Sequence, residues 1–148
     1  MIVTVTAESP IAAPADRVFA ALVDIERFPE TSPDCVSIRF LTEQKTGAGT
    51  RFVETRRAGK KTQDFELELT ECDPAARTAR FVNETHGTLW DTTMRVTEAG
   101  AGSHVTFAMD AHTDSYVQRV IFGLMKGVFR KAMNKQVRAL KEWCEAQG

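Results

Sequence analysis

The stretch SYVQRVIFGLMKGVFRKAMNKQVRALKEWCEA, residues 115–146, has no proline and sets Leu, Met, Lys, Arg, Glu and Gln at helical spacing, so it reads as one long helix. Two apolar stripes run along it. The first half uses Val117, Val120, Ile121, Leu124 and Val128, and the second uses Phe129, Met133, Val137, Leu140 and Cys144. At about 100° per residue the stripes are offset by roughly a quarter turn or more. Such a helix has to bend, break near Gly127, or wrap across a strongly curved partner. A twisted sheet that curls around a helix suits the pattern.

Working back along the chain, the residues before this helix supply such a sheet. Val105, Phe107, Met109 and Ala111 alternate with His104, Thr106, Ala108 and Asp110, the period of a half-buried strand. Gly100-Ala101-Gly102 turns into it from a strand carrying Trp90, Thr92, Met94 and Val96. Before the His86-Gly87 turn lies a strand over residues 78–85. Phe65, Leu67 and Leu69 alternate with Asp64, Glu66 and Glu68, a strand with one wet face, ending at Asp73-Pro74. Residues 51–57 form a strand between the Gly47-Ala48-Gly49 loop and the Gly59-Lys60-Lys61 turn, and Val36, Ile38 and Phe40 alternate before them.

The N-terminal part changes period twice. Residues 2–7 alternate as a strand, whereas residues 14–24 place Val18, Phe19, Ala21 and Leu22 at helical spacings, with Pro14 and Asp16 suited to a helix start. Asp24 caps a second helical turn over residues 25–28, which Pro29 ends before the Thr31-Ser32-Pro33 turn. The order is strand, two short helices, about six antiparallel strands and a long terminal helix, an α+β architecture.

Composition narrows the function classes. The 148 residues fit one unit without room for a second module, and 43% hydrophobic with 26% charged residues predicts a real core. No apolar run approaches the roughly 20 residues that span a bilayer. Residues 1–9 lack a basic stretch leading into an apolar one, so a cytoplasmic location is expected. The net charge of −1 hides an asymmetry: from Val117 onward there are seven Lys or Arg against two Glu. The chain as a whole is not basic and shows none of the usual DNA or RNA signatures, which argues against nucleic-acid binding.

The segments around the first helix carry a resemblance. Ile11-Ala12-Ala13-Pro14-Ala15-Asp16-Arg17-Val18-Phe19, Leu22-Val23-Asp24 followed by Arg27-Phe28-Pro29, and Gly47-Ala48-Gly49-Thr50-Arg51-Phe52 resemble the START-like or helix-grip superfamily. That superfamily (SRPBCC) includes the Bet v 1-like lipid carriers and the polyketide cyclase/dehydrase group. The resemblance covers the whole chain. It implies a curved antiparallel sheet of about seven strands wrapped around the C-terminal helix, with a cavity between them for an apolar or amphipathic small molecule. Function does not follow from the fold alone, because members carry lipids, bind metabolites, cyclise polyketides, assist chaperones or act as toxins.

If the apolar set faces such a cavity, strand parity sends certain polar groups inward. Glu54 and Arg56 share parity with Phe52, Asn83 with Phe81, and Thr92 with Trp90 and Met94. A carboxylate beside a guanidinium suits a polar ligand group or proton transfer, whereas a slip of one residue would turn both to solvent. Phe65, Phe81, Trp90, Met94 and Met109 are expected on the sheet wall, and Tyr116, Val120 and Leu124 on the helix wall. The same residues would equally compose a filled core.

The remaining reactive residue types form no motif. His86, His104 and His112 have no metal-ligand spacing, and Cys35, Cys72 and Cys144 are scattered, so no metal and no disulfide are expected. No serine has a GxSxG context, and no Lys-Ser or Lys-Thr follows the glycines as in a phosphate loop. Arg119, Lys126 and Arg130 share one helix face, read either as a solvated surface or as docking to an anionic membrane surface or acidic partner. Gly123 and Gly127 leave monomer and homodimer both open.

Three functions follow: binding of a hydrophobic or amphipathic small molecule without a tightly held cofactor, catalysis of the polyketide cyclase/dehydrase kind through inward polar residues, or an interaction or toxin module acting through the basic helix.

Overall fold

The computed structural model describes residues 2–147. Seven antiparallel strands form one open sheet: β1 (Ile2–Ile11), β2 (Cys35–Phe40), β3 (Thr50–Ala58), β4 (Lys61–Asp73), β5 (Thr78–Thr85), β6 (Thr88–Ala99) and β7 (Gly102–His112). Their spatial order is β1-β7-β6-β5-β4-β3-β2. Consecutive strands from β3 to β7 are joined by short turns, β2 reaches β3 through the loop 41–49, and β1 pairs with β7, so β1 and β2 lie at opposite edges. The chain crosses between those edges through α1 (Ala15–Leu22), a 3-10 turn (Ile25–Arg27) and α2 (Phe28–Thr31). With the C-terminal helix on one face of the sheet, this is the Bet v 1-like helix-grip fold.

Strand alternation puts one set of side chains against the helices. Val5, Phe52, Leu69, Val96 and Val105 are almost completely buried, while their strand neighbours face outward. Where β1 meets β7 the backbones come close: a Cβ on Gly102 would lie 2.6 Å from the Ile11 carbonyl oxygen, so only glycine fits without a backbone shift. His86 and Gly87 both have positive φ (52° and 80°), the conformation a two-residue hairpin turn requires.

Two expectations about the helices change. Pro29 does not end a helix; it lies in the first turn of α2, where its missing N–H has no helical partner to lose. The terminal helix is two helices, α3 (Tyr116–Leu124) and α4 (Lys126–Ala146), so the single long helix breaks, at Met125, two residues before Gly127. Met125 has φ −92° and ψ 5°, and its N–H still reaches the carbonyls of Ile121 and Phe122. Nor does the helix wrap to bury both apolar stripes. Met133, Val137, Leu140 and Cys144 are buried, whereas Val117, Val120, Ile121, Leu124 and Val128 are exposed.

Polar contacts hold both ends of this helical segment. At the start, the Ser115 hydroxyl accepts from the Gln118 N–H, and the Gln118 side-chain oxygen accepts from Thr88 (3.1 Å) and Thr113 (2.9 Å). At the end, Glu145 accepts from the Ala12 N–H (2.8 Å) and from Lys141 (2.7 Å). No helix among the described residues is long and apolar enough to cross a membrane.

Candidate functional site: a cavity between sheet and helix

A cavity of about 500 Å3 opens between the helix-facing side of the sheet, α4 and the α1–α2 segment. Its sheet wall is made by the alternating side chains of β3 to β7, among them Phe65, Leu67, Phe81, Trp90, Met94 and Met109. Phe129, Met133 and Leu140, at helical spacings on α4, form the facing wall, and Leu22 and Phe28 close one side.

Two ring clusters fix this shape. Phe28, Phe52 and Phe81 meet at centroid distances of 5.9–6.2 Å, with Phe52 edge-on to both others. Trp90, Phe122 and Phe129 meet at 5.1–6.0 Å, which ties both helices to β6.

The polar groups are few. Glu54 is 5% exposed and its Oε1 accepts from Arg56 Nη1 at 3.2 Å, so the residues two apart on β3 form an ion pair at the cavity wall. Cys35 stands opposite Arg56 on β2 near the Glu54 carboxylate, and its thiol donates to the Ser37 carbonyl at 3.8 Å. Burial first, and then that carboxylate, push its thiol up from an ordinary 9.0 to about 12. Cys35 is therefore a protonated donor at neutral pH rather than a nucleophile.

Asn83 also lines the cavity, but its amide is already engaged: Nδ2 donates to the Glu66 carbonyl (2.9 Å), and Oδ1 accepts from Thr85 (2.8 Å). Thr31, Ser32 and Thr92 add hydroxyls.

Of the residues singled out from sequence, Glu54, Arg56, Phe65, Phe81, Asn83, Trp90, Thr92, Met94 and Met109 are on the cavity wall. Phe52 is not; it is fully buried behind the wall, between Phe28 and Phe81. Tyr116, Val120 and Leu124 are corrected outright. They are 66%, 44% and 82% exposed, because α3 presents Phe122 to Trp90 and turns its other apolar residues to solvent.

Sequence reading missed Ser32, Phe129, Met133, Gln136 and Leu140 as wall residues. Phe129, Met133 and Leu140 had a signal, the second apolar stripe. Ser32 had none, since Thr31-Ser32-Pro33 reads only as a turn. Among the described residues no group of three or more His, Cys, Asp or Glu side chains is placed to hold a metal.

The profile of the family described as "Polyketide cyclase / dehydrase and lipid transport" matches residues 3–145. The chain belongs to this family. No curated protein sequence matches it. Among solved structures, it is similar to the Zhui aromatase/cyclase from Streptomyces, with a TM-score of 0.83 at 14% identity, over 99% of this chain and 96% of that one. TTHA0849 from Thermus thermophilus has a TM-score of 0.80 at 20% identity, over 99% of both chains. Norcoclaurine synthase from Thalictrum flavum, in complex with dopamine and hydroxybenzaldehyde, has a TM-score of 0.78 at 15% identity, over 100% of this chain and 89% of that one. At these identities the likeness establishes the shared fold. The family's description spans cyclase/dehydrase activity and lipid transport.

Proposed function

We propose that the protein binds a hydrophobic or amphipathic small molecule, a lipid, polyketide or aromatic metabolite, between the sheet and α4. The cavity carries this reading: about 500 Å3 walled by aromatic rings and methionine thioethers, with a few convergent polar groups. That is the size and chemistry of a small-molecule site. The neighbouring fold crystallised with dopamine and hydroxybenzaldehyde supports it as a precedent for small aromatic ligands.

Native mass spectrometry of freshly purified protein, with extraction of any bound molecule, is the first test. A second follows Trp90, which lines the cavity while Trp143 packs on the core away from it. In a Trp143→Phe background, Trp90 emission should change saturably on titration with a ligand of this class. An unchanged emission across fatty acids, sterols, quinones and aromatic polyketides would contradict the reading.

A second reading, catalysis of the cyclase/dehydrase kind, is favoured by the pairing of buried Glu54 with half-buried Arg56 at the cavity wall. Glu54→Gln separates the two. In a carrier it alters affinity modestly; in a cyclase it abolishes product formation while binding persists.

A further inference from the structure

Among the described residues, Ser32 Oγ is the one fully buried side-chain oxygen or nitrogen with no hydrogen-bond partner. The residue is 5% exposed and lies on the cavity wall. Its backbone is fixed: the N–H donates to the Phe28 carbonyl at 2.8 Å, and the carbonyl accepts from the Cys35 N–H at 3.2 Å. The main chain is thus held while the hydroxyl is left without a bond, although a buried polar group normally has one, and rotation about the Cα–Cβ bond brings it to the cavity.

The same cavity holds only two ionisable residues among those lining it, Glu54 and Arg56, and they pair with each other. Their formal charges cancel. Glu54 takes one bond, from Arg56, and a carboxylate has about four lone-pair positions, so it retains acceptor capacity.

We propose that Ser32 and Glu54 form a subsite for a neutral hydroxyl group, a phenol, enol or alcohol, on the apolar ligand. The ligand hydroxyl donates to the Glu54 carboxylate and accepts from the Ser32 hydroxyl, which satisfies both protein groups at once. An anionic ligand group fits poorly, because it would have to share the single Arg56 guanidinium with Glu54 and bring a second negative charge beside it. The subsite therefore selects hydroxylated ring systems over fatty acids. This rests on the ligand-cavity reading above.

The test uses three matched probes, 2-naphthol, 2-methylnaphthalene and 2-naphthoate, measured by calorimetry on the intact chain and on Ser32→Ala and Glu54→Gln. The intact chain should bind 2-naphthol about tenfold or more tighter than 2-methylnaphthalene, the scale of a hydrogen bond to a charged acceptor, with 2-naphthoate weakest. Ser32→Ala should remove roughly three- to tenfold of that preference while leaving the melting temperature of the free protein unchanged or raised, since the deleted hydroxyl had no partner. Glu54→Gln should reduce the preference further and relieve the discrimination against 2-naphthoate.

Equal affinity for 2-naphthol and 2-methylnaphthalene, or a preference that survives in both variants, would overturn the subsite while leaving the cavity reading intact. Tightest binding of 2-naphthoate would overturn it too. Failure of all three probes to bind would overturn the cavity reading, and the subsite with it.

Discussion

Cys35 shows how much a single position depends on its neighbours. In sequence it is a lone cysteine; in the fold it is buried against Glu54, and its thiol is held protonated. Because folding raises the thiol's pKa from an ordinary 9.0 to about 12, its share of stability is complete below pH 9 and is lost as the pH climbs towards 12. Denaturant midpoints of the native protein and Cys35→Ser, compared from pH 8 to pH 11, should therefore converge at the alkaline end. Phe52 and Leu124 make a second contrast. Both are large and apolar, but Phe52 is 0% and Leu124 82% exposed. Phe52→Ala should cost about 3–5 kcal/mol in urea unfolding, and Leu124→Ser no more than about 0.5 kcal/mol. Comparable losses would mean that α3 is packed in solution.

At the scale of elements, the strands were legible because a half-buried strand writes its burial into a period of two. Phe65, Leu67 and Leu69 against Asp64, Glu66 and Glu68 gave both the strand and its inward face. The cavity wall follows from the same parity, which is why Glu54, Arg56, Trp90 and Met94 share it. What parity cannot show is an added residue. The register shifts between Cys35 and Ser37, and between Leu69 and Glu71, and no residue type marks either irregularity. The helix misled for a different reason. Both stripes are apolar, and periodicity says that two faces differ without saying which meets the sheet. Phe122 lies seven residues before Phe129, so the inward face of α4 continues into α3 through a residue the first stripe omitted. The Glu145 contacts that tie α4 to the end of β1 join residues 133 positions apart, beyond any local pattern. The Glu145 carboxyl is held below its ordinary 4.5 by Lys141 first and by the Ala12 N–H next. That contribution is present above pH 4.5 and lost as the pH falls through the lowered value. Glu145→Gln should accordingly lower the melting temperature at pH 7, with the difference shrinking in acid; a gap that persists at pH 3 would mean the carboxylate charge is not what docks the helix.

At the scale of the whole molecule, the sheet, α4 and the α1–α2 segment leave a cavity beside a packed core. A molecule that binds there and not to the unfolded chain stabilises the folded state by mass action. The methionines report on that space at four separate places. Met94, Met109 and Met133 line the cavity from β6, β7 and α4, while Met125 sits at the exposed junction of α3 and α4, off its wall. Protein labelled at the methionine methyl groups, with signals assigned by single Met→Leu variants, can be titrated with 2-naphthol and followed by NMR. The account predicts saturable shifts of the Met94, Met109 and Met133 methyls at one common dissociation constant, with Met125 unmoved; shifts confined to Met125, or none at all, would contradict a ligand cavity between sheet and helix.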